Sequence, residues 1–166
     1  PTNYLGKMNE WDASTSIDLL PIMDKKDLQD ITFQGFHVGS HTKNHKRLKG
    51  MNHNELFSEV ADSKKILEDI VGHQVTSFAY PHGGRNDLDE RAIHAVRDAG
   101  YSTGVTTFFG RHNSLGNRFN LRRIIVWPSD SMEIFKKKLT GYYDWLVPKE
   151  VVVNFVRSAF RKSMTQ

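Results

Sequence analysis

The sequence predicts an α/β fold of βα units around a mostly parallel sheet, either an open sheet or part of a (β/α) barrel. Three observations lead there. Short β-like runs alternate with amphipathic helical stretches along the chain. Glycines stand where the helical stretches end, at Gly35, Gly72, Gly100 and Gly141. The chemically unusual residues, a histidine cluster and a Pro-His-Gly-Gly turn, directly follow strands, where barrels carry their active residues.

The first helix reads Asp24 to Gln34. Asp24 can cap it, Leu28 and Ile31 face inward, and Gly35 suits the left-handed position past its end. Phe36 to Ser40 is a short strand. Asn52 and Glu55 then form a capping-box pattern. They open a helix whose Leu56, Val60, Leu67, Ile70 and Val71 fall close to one face. Val75 to Tyr80 is the second strand, stopped by Pro81. Asp87 and Glu90 make another capping-box pattern, for a helix running to Ala99. Tyr101 to Thr107 is the third strand, and residues 108–120, rich in Gly, Asn and Arg, form a long loop. Leu121 to Trp127 is the fourth strand, with Ile124, Ile125 and Val126 as its apolar run. Asp130 can cap a helix reaching Leu139. A last helix from Lys149 to Met164 turns Val152, Phe155, Val156 and Phe160 inward.

A chain of 166 residues with 38% apolar and 25% charged residues suits one domain spanning 1–166. It carries no Cys, so any metal must be held by His and carboxylate. Absence of Cys leaves the compartment open. The formal charge of +4 is spread along the chain and does not point to nucleic acid. The Lys136-Lys137-Lys138 run and the Arg157, Arg161, Lys162 end read as solvated helix faces. No uninterrupted apolar stretch is long enough to predict a transmembrane helix. No G-x-G-x-x-G or P-loop pattern supports a nucleotide-binding α/β domain.

Four of the eight histidines fall between His37 and His53, and the tightest pair is His41 and His45. One helical turn after the strand would bring positions i and i+4 to one face. Two imidazoles can then converge on a divalent ion at about 2.0–2.1 Å each. The alternative is two polar surface histidines in a His-rich loop, and spacing alone favours it. The Pro81-His82-Gly83-Gly84 turn exposes backbone N–H groups that can stabilise an oxyanion. In isolation it reads equally as a plain βα turn, the commoner case.

Taken together these segments say more. Gly35-Phe36-His37-Val38-Gly39-Ser40-His41-Thr42-Lys43-Asn44-His45, an amphipathic helix, then Phe78-Ala79-Tyr80-Pro81-His82-Gly83 resembles the polysaccharide deacetylase family, also called the NodB-homology or carbohydrate esterase 4 family. That family carries His-Ser/Thr-x-x-His at one strand end and a Pro-Tyr-Gly-like turn at the next. Ala99-Gly100-Tyr101 and Leu121-Arg122-Arg123-Ile124 also resemble it, so the likeness runs from Trp11 to about Gly141.

The resemblance implies a distorted (β/α) barrel and a metal-dependent hydrolase that removes acetyl groups from N-acetylated sugars. It implies an Asp-His-His triad, usually holding zinc, with His41 and His45 as the two histidines. The metal would polarise the amide carbonyl and acidify bound water, and a carboxylate base would activate that water. The backbone N–H of His82, after the motif proline, would hold the oxyanion.

The chain also departs from the pattern. The family's Thr-Phe-Asp-Asp motif, source of the base and the Asp ligand, is absent. A barrel lacking its first strand or strands is therefore expected, completed by an N-terminal segment or by self-association. Asp12 is the first substitute ligand to consider. The motif arginine that orients the base is replaced by Ala79, and Arg123 is the candidate to take over. An alternative role for Arg123 is a surface arginine at a strand start. The motif tyrosine is His82, the late Leu-x-His motif is not evident, and His112 is the only histidine after the third strand. Asp144-Trp145 lies too late to match a family motif. A non-catalytic, carbohydrate-binding relic of the fold is the rival expectation. A weaker one is a membrane-surface role for the last helix through Lys149, Arg157, Arg161 and Lys162.

Overall fold

A computed structural model describes residues 1–13 and 18–146. Three strands form one parallel sheet in chain order: β1 (Ser77–Ala79), β2 (Thr103–Phe109) and β3 (Leu121–Arg123). Among the described residues, five α-helices accompany them: α1 (Lys25–Phe33), α2 (His53–Phe57), α3 (Ser63–Val71), α4 (Glu90–Asp98) and α5 (Met132–Thr140). A π-helical turn, Ser58–Asp62, joins α2 to α3. The crossover from β1 to β2 runs through α4, as parallel pairing requires.

The core lies between the sheet and its helices. Along β2, Gly104, Thr106 and Phe108 are buried in strict alternation, the two-residue period of a strand with one face inward. Phe78, Tyr80, Tyr101, Val60, Leu67, Ala92 and Val96 belong to this core. Gly104 has no room for a side chain, because a Cβ there would lie 2.7 Å from the Phe119 carbonyl oxygen.

The expected strand at Phe36 to Ser40 shrinks to a single parallel bridge between Ser40 and Phe78. Ser40 N–H donates to the Ser77 carbonyl at 2.9 Å, and Ala79 N–H donates to Ser40 at 2.8 Å. This segment pairs on one side only, and Phe36 stands exposed, so little burial holds it extended. The strand expected over Val75 to Tyr80 is regular over Ser77–Ala79, with the Thr76 carbonyl accepting from Ser102 N–H before it and Tyr80 N–H donating to the Val105 carbonyl after it. The fourth strand ends at Arg123 rather than Trp127. Ile125, Val126 and Trp127 are 41%, 51% and 59% exposed. Their β propensity has no packed surface to act on among the described residues.

Helix starts follow local hydrogen bonding. Asp24 caps α1 with a reciprocal bond to Asp27, and Asn52 accepts the Glu55 N–H at 2.9 Å. Two caps differ from expectation. Asp89, not Asp87, caps α4 by accepting from Ala92. Asp87 instead accepts the Gly84 N–H at 2.9 Å and pairs with Arg47 at 2.6 Å. Ser131, not Asp130, caps α5, because Asp130 is taken up by Trp127 N–H and Lys138. The helix expected from Lys149 to Met164 lies outside the described residues. Among the described residues, no helix is long and apolar enough to cross a membrane.

Candidate active site

The C-terminal ends of the parallel strands gather the unusual residues. His41 follows Ser40 directly, and its Nδ1 lies 2.7 Å from the Ala79 carbonyl at the end of β1. A carbonyl only accepts, so Nδ1 carries the proton and Nε2 keeps a free lone pair. His45 lies next to it, with ring centroids 4.9 Å apart at 65°. The helical turn expected across Ser40 to His45 does not form. Thr42 and His45 take left-handed φ values of 64° and 57° instead. Buried Thr42 stabilises this shape by accepting the His45 N–H at 3.1 Å. Left-handed turns bring the rings together as a helical turn would have done.

Two aromatic residues complete its wall. Trp11 stacks on His45 at 4.6 Å and 25°, and Tyr4 packs edge-on against Trp11 at 5.0 Å. Asp12 contributes a negative charge near His45 but bonds Asn9, Nδ2 to Oδ2, at 2.9 Å.

His82 joins from the second strand end, its ring 5.1 Å from that of His45. Its φ of 58° is left-handed, and Thr107 Oγ1 donates to its carbonyl at 2.9 Å. Its own N–H donates to no described residue. The next residue must be glycine: at φ 69°, a Cβ on Gly83 would lie 2.9 Å from Thr107 N. Arg123, at the end of β3, donates from Nε to the Thr106 carbonyl at 2.6 Å. Its charge reaches His41, helping to hold that imidazole unprotonated. His112 and Arg111 both pair with Asp144, at 3.1 and 2.8 Å.

Burial pushes the His41 imidazole below its ordinary value, against the Ala79 bond that favours its protonated form. Burial, then the His41 and His82 rings, push His45 down to about 4. Both are therefore neutral at physiological pH, the state a metal ligand needs. A histidine held below its ordinary value binds its proton more weakly folded than unfolded. Stability from His45 is full above about pH 6.5 and declines as pH falls toward about 4, and His41 contributes in the same direction. The His45 ring is expected to titrate with a midpoint near 4 by NMR, and His45→Gln to flatten the loss of thermal stability over this window. A midpoint near the ordinary value would refute this burial.

The fit to a metal is partial. The free Nε2 of His41 suits a ligand, and the buried Nδ1 of His45 has no hydrogen-bond partner. Yet among the described residues no three His, Cys, Asp or Glu side chains form a group that could hold an ion. The described residues would fit two ligand positions and do not supply a third.

Histidines and a free turn N–H at the C-terminal ends of parallel strands define an α/β barrel-type site. Residues 6–104 match the polysaccharide deacetylase family, and the chain belongs to that family. It is 31% identical over 113 residues to YxkH of Bacillus subtilis, which is named as a polysaccharide deacetylase. The match covers 68% of this chain and 39% of YxkH. Among solved structures, the fold is similar to Streptococcus pyogenes deacetylase PplD in complex with acetate, with a TM-score of 0.67 at 21% identity. That match covers 81% of this chain and 55% of PplD. The polysaccharide deacetylase BC0361 of Bacillus cereus gives a TM-score of 0.65 at 23% identity, over 74% of this chain and 38% of that one. The chain thus spans well under two thirds of these relatives, and its fold is the expected partial NodB-type barrel.

Proposed function

We propose that this chain supplies half of the active site of a metal-dependent N-deacetylase acting on N-acetylated sugars of a polysaccharide or glycolipid. The observation that carries this reading is the meeting of His41 and His45 beside the free N–H of His82. Family membership supports it. A divalent ion, zinc by the chemistry of two imidazoles, would be held by His41 Nε2 and by His45, and would polarise the acetamide carbonyl. The chain's own groups do the rest. The Ala79 carbonyl fixes the His41 tautomer. The His82 N–H, held outward by the left-handed turn, donates to the oxygen as it gains charge. Trp11 keeps the His45 ring in plane and shields it from water. Arg123 brings positive charge to the same rim and orients a carboxylate base supplied by an Asp-bearing strand, in cis or in trans.

The test is zinc titration at neutral pH. The chain by itself is expected to bind zinc weakly, since functional zinc sites use at least three protein ligands. Binding should tighten when an Asp-bearing strand unit is supplied, and His41→Ala should weaken it again. Tight stoichiometric binding by the chain alone would place a third ligand within it, with Asp12 the first to substitute. Absence of binding to the completed site would end the metal reading.

A further inference from the structure

The carboxylate of Glu59 is buried, only 5% exposed. Among the described residues, its hydrogen bonds go to the loop between the two histidines. Oε2 accepts the consecutive N–H groups of Lys43 and Asn44 at 3.0 and 2.9 Å, and Oε1 accepts Asn44 Nδ2 at 2.5 Å. Consecutive N–H groups aimed at one oxygen form an anion-binding concavity. Here the anion is built in.

Those two N–H groups lie between the left-handed residues Thr42 and His45. Left-handed backbone at residues with a Cβ persists only where its surroundings over-determine it. Glu59 is placed to do so by the π-helical turn Ser58–Asp62, an irregularity that recurs at functional sites. The same turn grips the loop a second time, since Lys43 Nζ donates to Ser58 Oγ at 3.0 Å and to Asp62 at 2.8 Å. A buried polar seam anchors it: Ser63 Oγ lies 2.8 Å from Ser40 Oγ. The Val60 carbonyl accepts from Ser63 Oγ and from the Tyr101 hydroxyl. Asn44 Oδ1 in turn accepts from Asn3 at 2.7 Å.

We infer that Glu59 is a positioning residue of the histidine site, holding the His41–His45 loop in the conformation that keeps the two imidazoles in contact. It touches no reacting atom. Its relevance to chemistry rests on the reading of His41 and His45 as metal ligands, but its effect on the loop does not.

The experiment is NMR on the full chain, wild type against Glu59→Ala and Glu59→Gln, followed by titration with zinc chloride. In Glu59→Ala, amide exchange at Lys43 and Asn44 is expected to rise at least about tenfold, since a net hydrogen bond is lost at each. The close contact between the His41 and His45 ring protons should disappear, while the β2 amides keep their protection. Zinc affinity should fall about tenfold or more, the usual scale for groups that orient ligands. Glu59→Gln keeps the acceptor oxygen and should recover part of both effects. Retained ring contact and unaltered zinc affinity in Glu59→Ala would reduce Glu59 to an ordinary structural residue and overturn the inference. Should Glu59→Ala fail to fold, Glu59→Asp retracts the carboxylate by one methylene and takes the same readouts. Unchanged exchange and ring contact there would overturn it equally. If the completed site takes up no zinc while ring contact still depends on Glu59, the metal reading falls and this inference stands.

Discussion

The purified 166-residue chain is expected to release no measurable acetate from N-acetylglucosamine oligomers, with or without added zinc. It brings two imidazoles together beside the His82 turn, but its described residues assemble no three-ligand group. General base catalysis is worth about 10²–10⁴-fold, and an incomplete metal site costs more. Supplying an Asp-bearing strand unit, in cis or in trans, should recover turnover, and His41→Ala in that completed protein should abolish it. Acetate release measured by coupled assay decides the matter. Robust turnover by the isolated chain would show that a base and third ligand lie within it. Silence from the completed protein would remove the deacetylase reading.

Phe78→Ala is expected to destabilise the chain by about 3–5 kcal/mol, lowering the thermal midpoint by about 10 °C for a domain of this size. Phe78 is 1% exposed and packs against the Tyr80 and Tyr101 rings, each with centroids 5.2 Å away. Its backbone position pairs with Gly104 on one side and Ser40 on the other. It therefore ties the histidine-bearing edge to the sheet, one residue before the carbonyl that holds His41. Circular dichroism melts give the number. A shift of about 2 °C or less would mean that the aromatic cluster repacks around the gap and that the edge is held by something else.

Part of this protein could be read directly from its residues. The alternation of β runs and amphipathic helices carries the α/β class, because side-chain period is a local property of the backbone. The caps at Asp24 and Asn52 and the glycines at Gly35, Gly72, Gly100 and Gly141 act over three or four residues, and each is found in its expected place or within a residue of it. The family motifs are contiguous, so they also survive as sequence.

Other features depended on distant partners. Strand lengths at Phe36 to Ser40 and Leu121 to Trp127 were overestimated, since apolar runs become strands only where another surface buries them. Asp87 and Asp130 satisfy the capping rule, but Asp87 is taken by Gly84 and by Arg47, 40 residues away, and Asp130 by Trp127 and by Lys138, eight residues on. Separation along the chain hid Glu59 from the site, since it lies 15 residues from Asn44. Residue type and spacing marked His41 and His45 as the pair to watch, through chemistry local to five residues. Only the tertiary structure decided how that pair is held. A carboxylate 15 residues from Asn44 and a carbonyl 38 residues from His41 fix a loop whose left-handed residues have no preference for that shape on their own.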